Sequence, residues 1–195
     1  MPSDTPFRDY REIVDYISRD LLKLGAASLA ELRRMPVNEI GVLPFWYLAR
    51  NCGFSNERSR TEKWVRIVKI MALLAPKGEE RTDCRLHDSR RSLGDMLCTG
   101  GVLDWHSSGA FVQPFVSEFR LMRFLAQPHH LRLQTLEAFA RRLANIRDAD
   151  SGVNCAEIAA LVLFPDNKRQ LQELASAYYR RLASASRNQT EETVQ

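Results

Sequence analysis

Apolar residues return every three or four positions along most of this chain, the spacing that gathers them on one face of a helix. No run alternates apolar and polar residues as a half-buried strand does. Tyr10, Val14, Ile17, Leu21 and Leu24 make the first stripe, with Arg8, Arg11, Glu12, Asp15 and Arg19 away from it and Gly25 at its end. Ser28 with Glu31 reads as a capping box, starting a short helix that carries Leu29 and Leu32, exposes Arg33 and Arg34 and stops at Pro36. The following run, VLPFWYLARNCGF, is the most apolar in the chain; it supplies Phe45, Trp46 and Leu48 to an N-terminal core, and Gly53 closes its turn. A second box, Ser59 with Glu62, opens a helix with Trp64, Ile67, Val68, Met71 and Ala75 on one face and Lys63, Arg66 and Lys69 on the other.

From Pro76 to Arg91 the apolar period disappears and charges crowd in, which predicts a mobile loop or linker dividing two lobes. Ser92 with Asp95 caps a brief helix ending at Gly100-Gly101, and the segment around Trp105, His106 and Gly109 reads as loop. Two amphipathic helices then meet at Pro128. In the first, Leu121, Met122, Phe124 and Leu125 share an arc with Arg120 and Arg123 opposite; in the second, Leu133, Leu136, Ala140 and Leu143 continue a stripe to Ile146, with Arg132, Arg141, Arg142 and Arg147 largely off it. Asn154 with Glu157 caps a short apolar helix, Pro165-Asp166 breaks it, and Leu171, Leu174, Tyr178 and Leu182 line a last one. The predicted fold is all-α, with eight to nine helices in two small lobes: residues 1–91, ending in the charged loop, and 92–185, followed by a disordered polar tail at 186–195.

Charge sharpens this picture. Between Ser117 and Arg147 six arginines face only Glu118 and Glu137, an excess of four that equals the formal charge of the whole chain, +4. Arginine also supplies 23 of the 28 basic residues, Lys23, Lys63, Lys69, Lys77 and Lys168 being the lysines. The planar guanidinium matches phosphate in a fork and stacks on flat rings, so the bias fits nucleic-acid contact; high-GC codon usage produces the same bias. With 45% apolar and 27% charged residues the composition is that of a soluble globular protein, and no stretch approaches the ~20 apolar residues of a membrane span. The N-terminal residues mix acids and bases as neither a signal nor a transit peptide does, which makes the cytoplasm the expected compartment. Cys52, Cys84, Cys98 and Cys155 are too scattered for a zinc or redox motif and read as buried free thiols.

Catalytic chemistry finds little purchase. His87-Asp88 resembles one fragment of a metal phosphohydrolase site but has no second ligand at helical spacing. His129 and His130 are adjacent, so on a helix they diverge by about 100° and do not chelate one ion. No Gly-x-Ser-x-Gly or Walker loop is present. The expectation is a protein that is not an enzyme, with no metal and no cofactor. The arginine faces are then either solvated helix surfaces or a backbone-binding track. The Arg33-Arg34 and Arg141-Arg142 doublets favour the track, because crowded positive charge is relieved by phosphate or by an acidic partner.

The segments ELRRMPVNEIGVLPFWYLARNCGF, SLGDML and SEFRLMRFLAQPHHLRLQTLEAFARRLA, in this order and spacing, together resemble the CasB family, the small subunit of type I-E CRISPR Cascade surveillance complexes. The likeness runs from about Leu29 to about Leu182, without the charged loop and the tail. It implies a two-lobed all-α subunit, present as a pair of copies, whose partners are the other Cascade subunits, the CRISPR RNA and target DNA, above all the displaced single strand. In such complexes pairing specifies and protein stabilises. Matching motif positions implies contacts from Arg33, Arg34, Arg120, Arg123, Arg141 and Arg142, with Arg66 and Lys69 as further members. A helical adaptor for an acidic protein and a stand-alone DNA-binding protein remain as other readings. The helix after Pro128, rich in Leu and Ala and poor in Asn and Gln, is a poor reader of bases.

Overall fold

A computed structural model describes residues 9–39, 41–52, 58–76, 84–103, 105, 113–148 and 150–192, and the side chains of these except at 51, 58, 59 and 186–192. Among the described residues the fold is all-helical. Its helices are α1 (Tyr10–Lys23), α2 (Ala26–Arg34), α3 (Leu43–Cys52), α4 (Arg58–Leu74), α5 (Leu93–Thr99), α6 (Glu118–Ala126), α7 (His129–Ile146), α8 (Cys155–Leu163) and α9 (Lys168–Glu192). An isolated parallel bridge joins His87 to Val153. Gly53, His106, Gly109 and the 77–83 part of the charged loop lie outside the described residues.

Helix α4 is the centre of the packing. It lies against α1, α2, α7 and α8, and Trp64, Val65, Ile67, Val68, Ile70, Met71, Ala72 and Leu74 are all buried. A helix touched on so many sides needs apolar residues nearly all round, so the basic face expected on α4 is narrow. Lys63, Arg66 and Lys69 are half-buried there, and Lys63 Nζ donates to the Leu163 carbonyl at 3.1 Å. The buried side chains form one cluster running from Ile13 to Tyr178, which crosses the expected lobe boundary at Arg91.

Two of the expected caps form as the sequence suggests. Ser92 accepts from the Asp95 amide, and Asn154 accepts from the amides of Ala156 and Glu157. Glu157 reaches further than a box residue does: its carboxylate accepts the Leu93 amide at 2.7 Å, tying the start of α5 to α8. Burial pushes this carboxyl above its ordinary pKa, while the Leu93 amide and the Asn154 side chain draw it back down. Ser28, by contrast, lies inside α2. Ala26 and Ala27 are the strongest helix formers, so the helix extends back to Gly25, whose carbonyl accepts from the Leu29 amide at 3.1 Å. Ser59 likewise falls after the start of α4 at Arg58.

Residues 84–91 of the charged loop are packed against the fold. Leu86 is buried, and the backbone pairs Val153 N–H to Leu86 O and Asp88 N–H to Val153 O, both at 3.1 Å, hold it against the start of α8. Of the tail expected at 186–195, residues 186–192 continue α9 to Glu192, and 193–195 lie outside the described residues. Between Lys168 and Glu192 there is neither Gly nor Pro, and a helix already nucleated propagates through polar residues at little cost. Helix α9 is held at its middle against α5: a Cβ at Gly94 would overlap the Leu174 carbonyl oxygen and stand 2.9 Å from both Ala177 Cβ and Tyr178 N.

Candidate nucleic-acid interface

The arginine-rich pair α6 and α7 is anchored through one side of each helix. Leu121 and Phe124 of α6 are buried, and the Phe124 ring lies 5.4 Å from that of Phe139 on α7. On α7, Leu133, Leu136, Phe139, Ala140 and Leu143 are buried. The turn between the helices is closed by Arg132, which donates to the Gln127 carbonyl at 2.8 Å, and by Thr135, which donates to the Gln127 side chain at 2.8 Å. In front of α6, Tyr178 donates from α9 to the Val116 carbonyl at 2.6 Å, and this fixes where α6 begins.

The outer side of α6 carries Arg120 and Arg123, both exposed, and with them Phe119 at 77% and Met122 at 54% exposure. Met122 had been expected inside. It stands about 60° beyond Leu125 on the helical wheel, at the edge of the apolar arc, and no neighbouring element covers that edge among the described residues. Phe119 is the residue that sequence reasoning passed over; at 100° per residue it falls beside Arg123, on the side assigned to charge.

Arg141 and Arg142 are exposed on α7. The Arg142 guanidinium lies 4.5 Å from the centroid of the Phe115 ring, and its Nη2 donates to the Phe115 carbonyl at 3.4 Å, so this arginine is held beside the entry to α6. Among the described residues Arg120, Arg123, Arg141 and Arg142 have no carboxylate partner.

The other candidates sit in different surroundings. Arg33 caps the end of α4, donating to the carbonyls of Ala72 and Ala75 at 2.9 Å and of Pro76 at 3.2 Å, while Arg34 next to it is exposed. Arg66 and Lys69 flank Glu137 of α7 at 3.7 and 3.5 Å, all three side chains being largely covered. Two arginines counted in the basic excess turn inward: Arg132 is buried at 9% exposure, and Arg147 is held by carbonyls of Leu74, Arg85 and Ser151. Burial lowers the pKa of both guanidinium groups. The residues on the surface are therefore fewer than the sequence count.

His87 is built into the fold. The Cys155 amide donates to its Nδ1 at 3.0 Å, leaving Nε2 to donate to Asp15 at 3.1 Å, so the ring links α1 to the start of α8. It lines a cleft of about 1140 Å³ together with Arg11, Arg85, Arg90 and Arg169. Three acids of that cleft, Asp15, Asp88 and Glu173, are paired with His87, Arg85 and Arg169. No group of three or more metal-ligating side chains is found among the described residues. Burial and the neighbouring charges of Arg132, Arg66 and Lys63 pull His129 below its ordinary pKa, which keeps that ring neutral at neutral pH. Compared with protein families, curated proteins and solved structures, the chain matches none.

Proposed function

We propose that this chain is a non-catalytic nucleic-acid-binding subunit that grips phosphate through the α6–α7 face without reading sequence. On the motif resemblance to CasB small subunits, its setting is a type I-E Cascade complex with a CRISPR RNA, other subunits and a second copy of itself. There it steadies the displaced DNA strand. One observation carries the reading: Arg120, Arg123 and Arg141 are exposed on neighbouring helices with no carboxylate partner among the described residues, and Arg142, also exposed, lies against Phe115 at the entry to α6. Exposed charges of one sign repel each other, and a polyanion that releases its counterions relieves the repulsion.

The test replaces all four arginines by Ala. The melting temperature should hardly move, since exposed positions away from caps and cores rarely change stability by more than about 0.5 kcal/mol. If each contacts one phosphate of a single strand, the salt-dependence slope of binding falls by about three units, at ~0.7 per phosphate. In a complex assembled with CRISPR RNA and target, the displaced strand becomes more accessible to single-strand-specific nuclease. Unchanged strand protection and salt slope in a folded variant defeat the proposal. Loss of salt-sensitive binding to an acidic protein instead favours the adaptor.

A further inference from the structure

Phosphate binding leaves Phe119 unexplained. Its ring is 77% exposed, so little of it is removed from water by the fold, and Met122 next to it is 54% exposed. Its helical neighbours are Met122 three residues on and Arg123 four residues on, with Arg120 next around the helix. The outward face of α6 thus reads apolar, aromatic, cationic, cationic across one convex surface.

We propose that Phe119 is a stacking platform for an unpaired base of single-stranded nucleic acid, with Arg120 and Arg123 holding the adjoining phosphates. The proposal rests on the phosphate-gripping reading above and deepens it with a base contact, so that the single strand is held by an unpaired base as well as by its phosphates. A ring flanked by guanidinium groups suits a ligand that alternates flat apolar faces with anionic links. In duplex DNA both faces of each base are already covered by neighbours, so the ring gains nothing there without kinking the helix. A protein partner fits less well. Phe119 buries at most about 150–250 Å² and Met122 adds less, against about 800 Å² per side in a stable protein interface. Phe115, at the entry to α6, is already faced by the Arg142 guanidinium at 4.5 Å, whereas the Phe119 ring stands open.

Two fluorescein-labelled probes separate stacking from charge: a 15-residue thymidine oligonucleotide and an abasic strand with the same number of phosphates. Both are titrated with the full chain at low salt and followed by anisotropy. Phe119→Ala should weaken binding to the thymidine strand about tenfold, leave the abasic strand unaffected and keep the salt slope, while Phe119→Trp restores or strengthens the first. Arg120→Ala with Arg123→Ala should weaken both probes and lower the slope by about 1.4 units. Melting curves confirm that each variant is folded. If Phe119→Ala leaves both probes unchanged, or weakens both equally, stacking is overturned while the arginine reading stands or falls on its own variant. If neither variant changes either probe, the phosphate-gripping reading fails and the stacking proposal with it. If Phe119→Ala spares the thymidine strand but dissolves a concentration-dependent dimer in sedimentation, the face is a contact between copies of the chain and the proposal is wrong.

Discussion

Arg33 and Arg34 are neighbours in sequence and lie about 100° apart on α2, and that angle separates a fold-holding side chain from a free one. The Arg33 guanidinium satisfies carbonyls at the end of α4, where a helix leaves its last acceptors unpaired and its dipole favours a cation. Hydrogen bonds to a charged group that is partly shielded from water are worth more than neutral ones. Arg33→Ala should therefore cost about 2 kcal/mol in urea denaturation, and Arg34→Ala no more than about 0.5 kcal/mol. Equal costs would remove the capping role. In a nucleic-acid binding assay the proposed function predicts the reverse order, Arg34→Ala losing more than Arg33→Ala, because Arg34 is the exposed member of the doublet. The doublet itself is visible in the sequence. Which member faces α4 is not, because that depends on where α4 ends and how α2 crosses it.

At the scale of elements, the seam between α5 and α9 turns on Gly94. Helix propensity alone says that Gly94→Ala stabilises by about 1 kcal/mol. The added Cβ, however, would run into the Leu174 carbonyl oxygen, an atom of the α9 backbone that no side-chain rotation moves aside. Forcing the helices apart empties contacts along the seam, so overpacking wins and the variant should melt as a protein weakened by about 3 kcal/mol. A higher melting temperature for the variant would show that the seam yields. Such close approaches are invisible to periodicity, whereas the stripes of α1 and α4 and the caps of α5 and α8 were legible. Those features depend on neighbours within a turn of helix. The start of α2 was misread because alanine propensity outweighed a serine cap, and the tail because polarity was taken for disorder in a stretch without Gly or Pro. On the candidate site, Arg120, Arg123, Arg141 and Arg142 were placed on the surface correctly by helical angle. Phe119 was legible by the same angle and passed over, since aromatic residues are counted as core before their direction is examined.

For the molecule as a whole, the charged loop divides the chain in sequence while the buried cluster joins its halves. Arg147 gives that union a time dimension. Its guanidinium is bonded to carbonyls 73 and 62 residues earlier in the chain, at Leu74 and Arg85, and to Ser151 close by. Bonds between groups so far apart in sequence require α4 and the loop to be docked, so they are expected to form late in folding and to break early in unfolding. Arg147 then works as a latch on the closed molecule. Arg147→Ala should steepen the loss of native protein, raising the unfolding rate roughly tenfold or more while the refolding rate stays near wild type. A chevron in which the folding arm drops instead would put Arg147 in the nucleus. As a latch, the side chain would set how long α6 and α7 stay in register once formed, so the lifetime of the exposed arginine face, and not only its geometry, would depend on an arginine turned away from it.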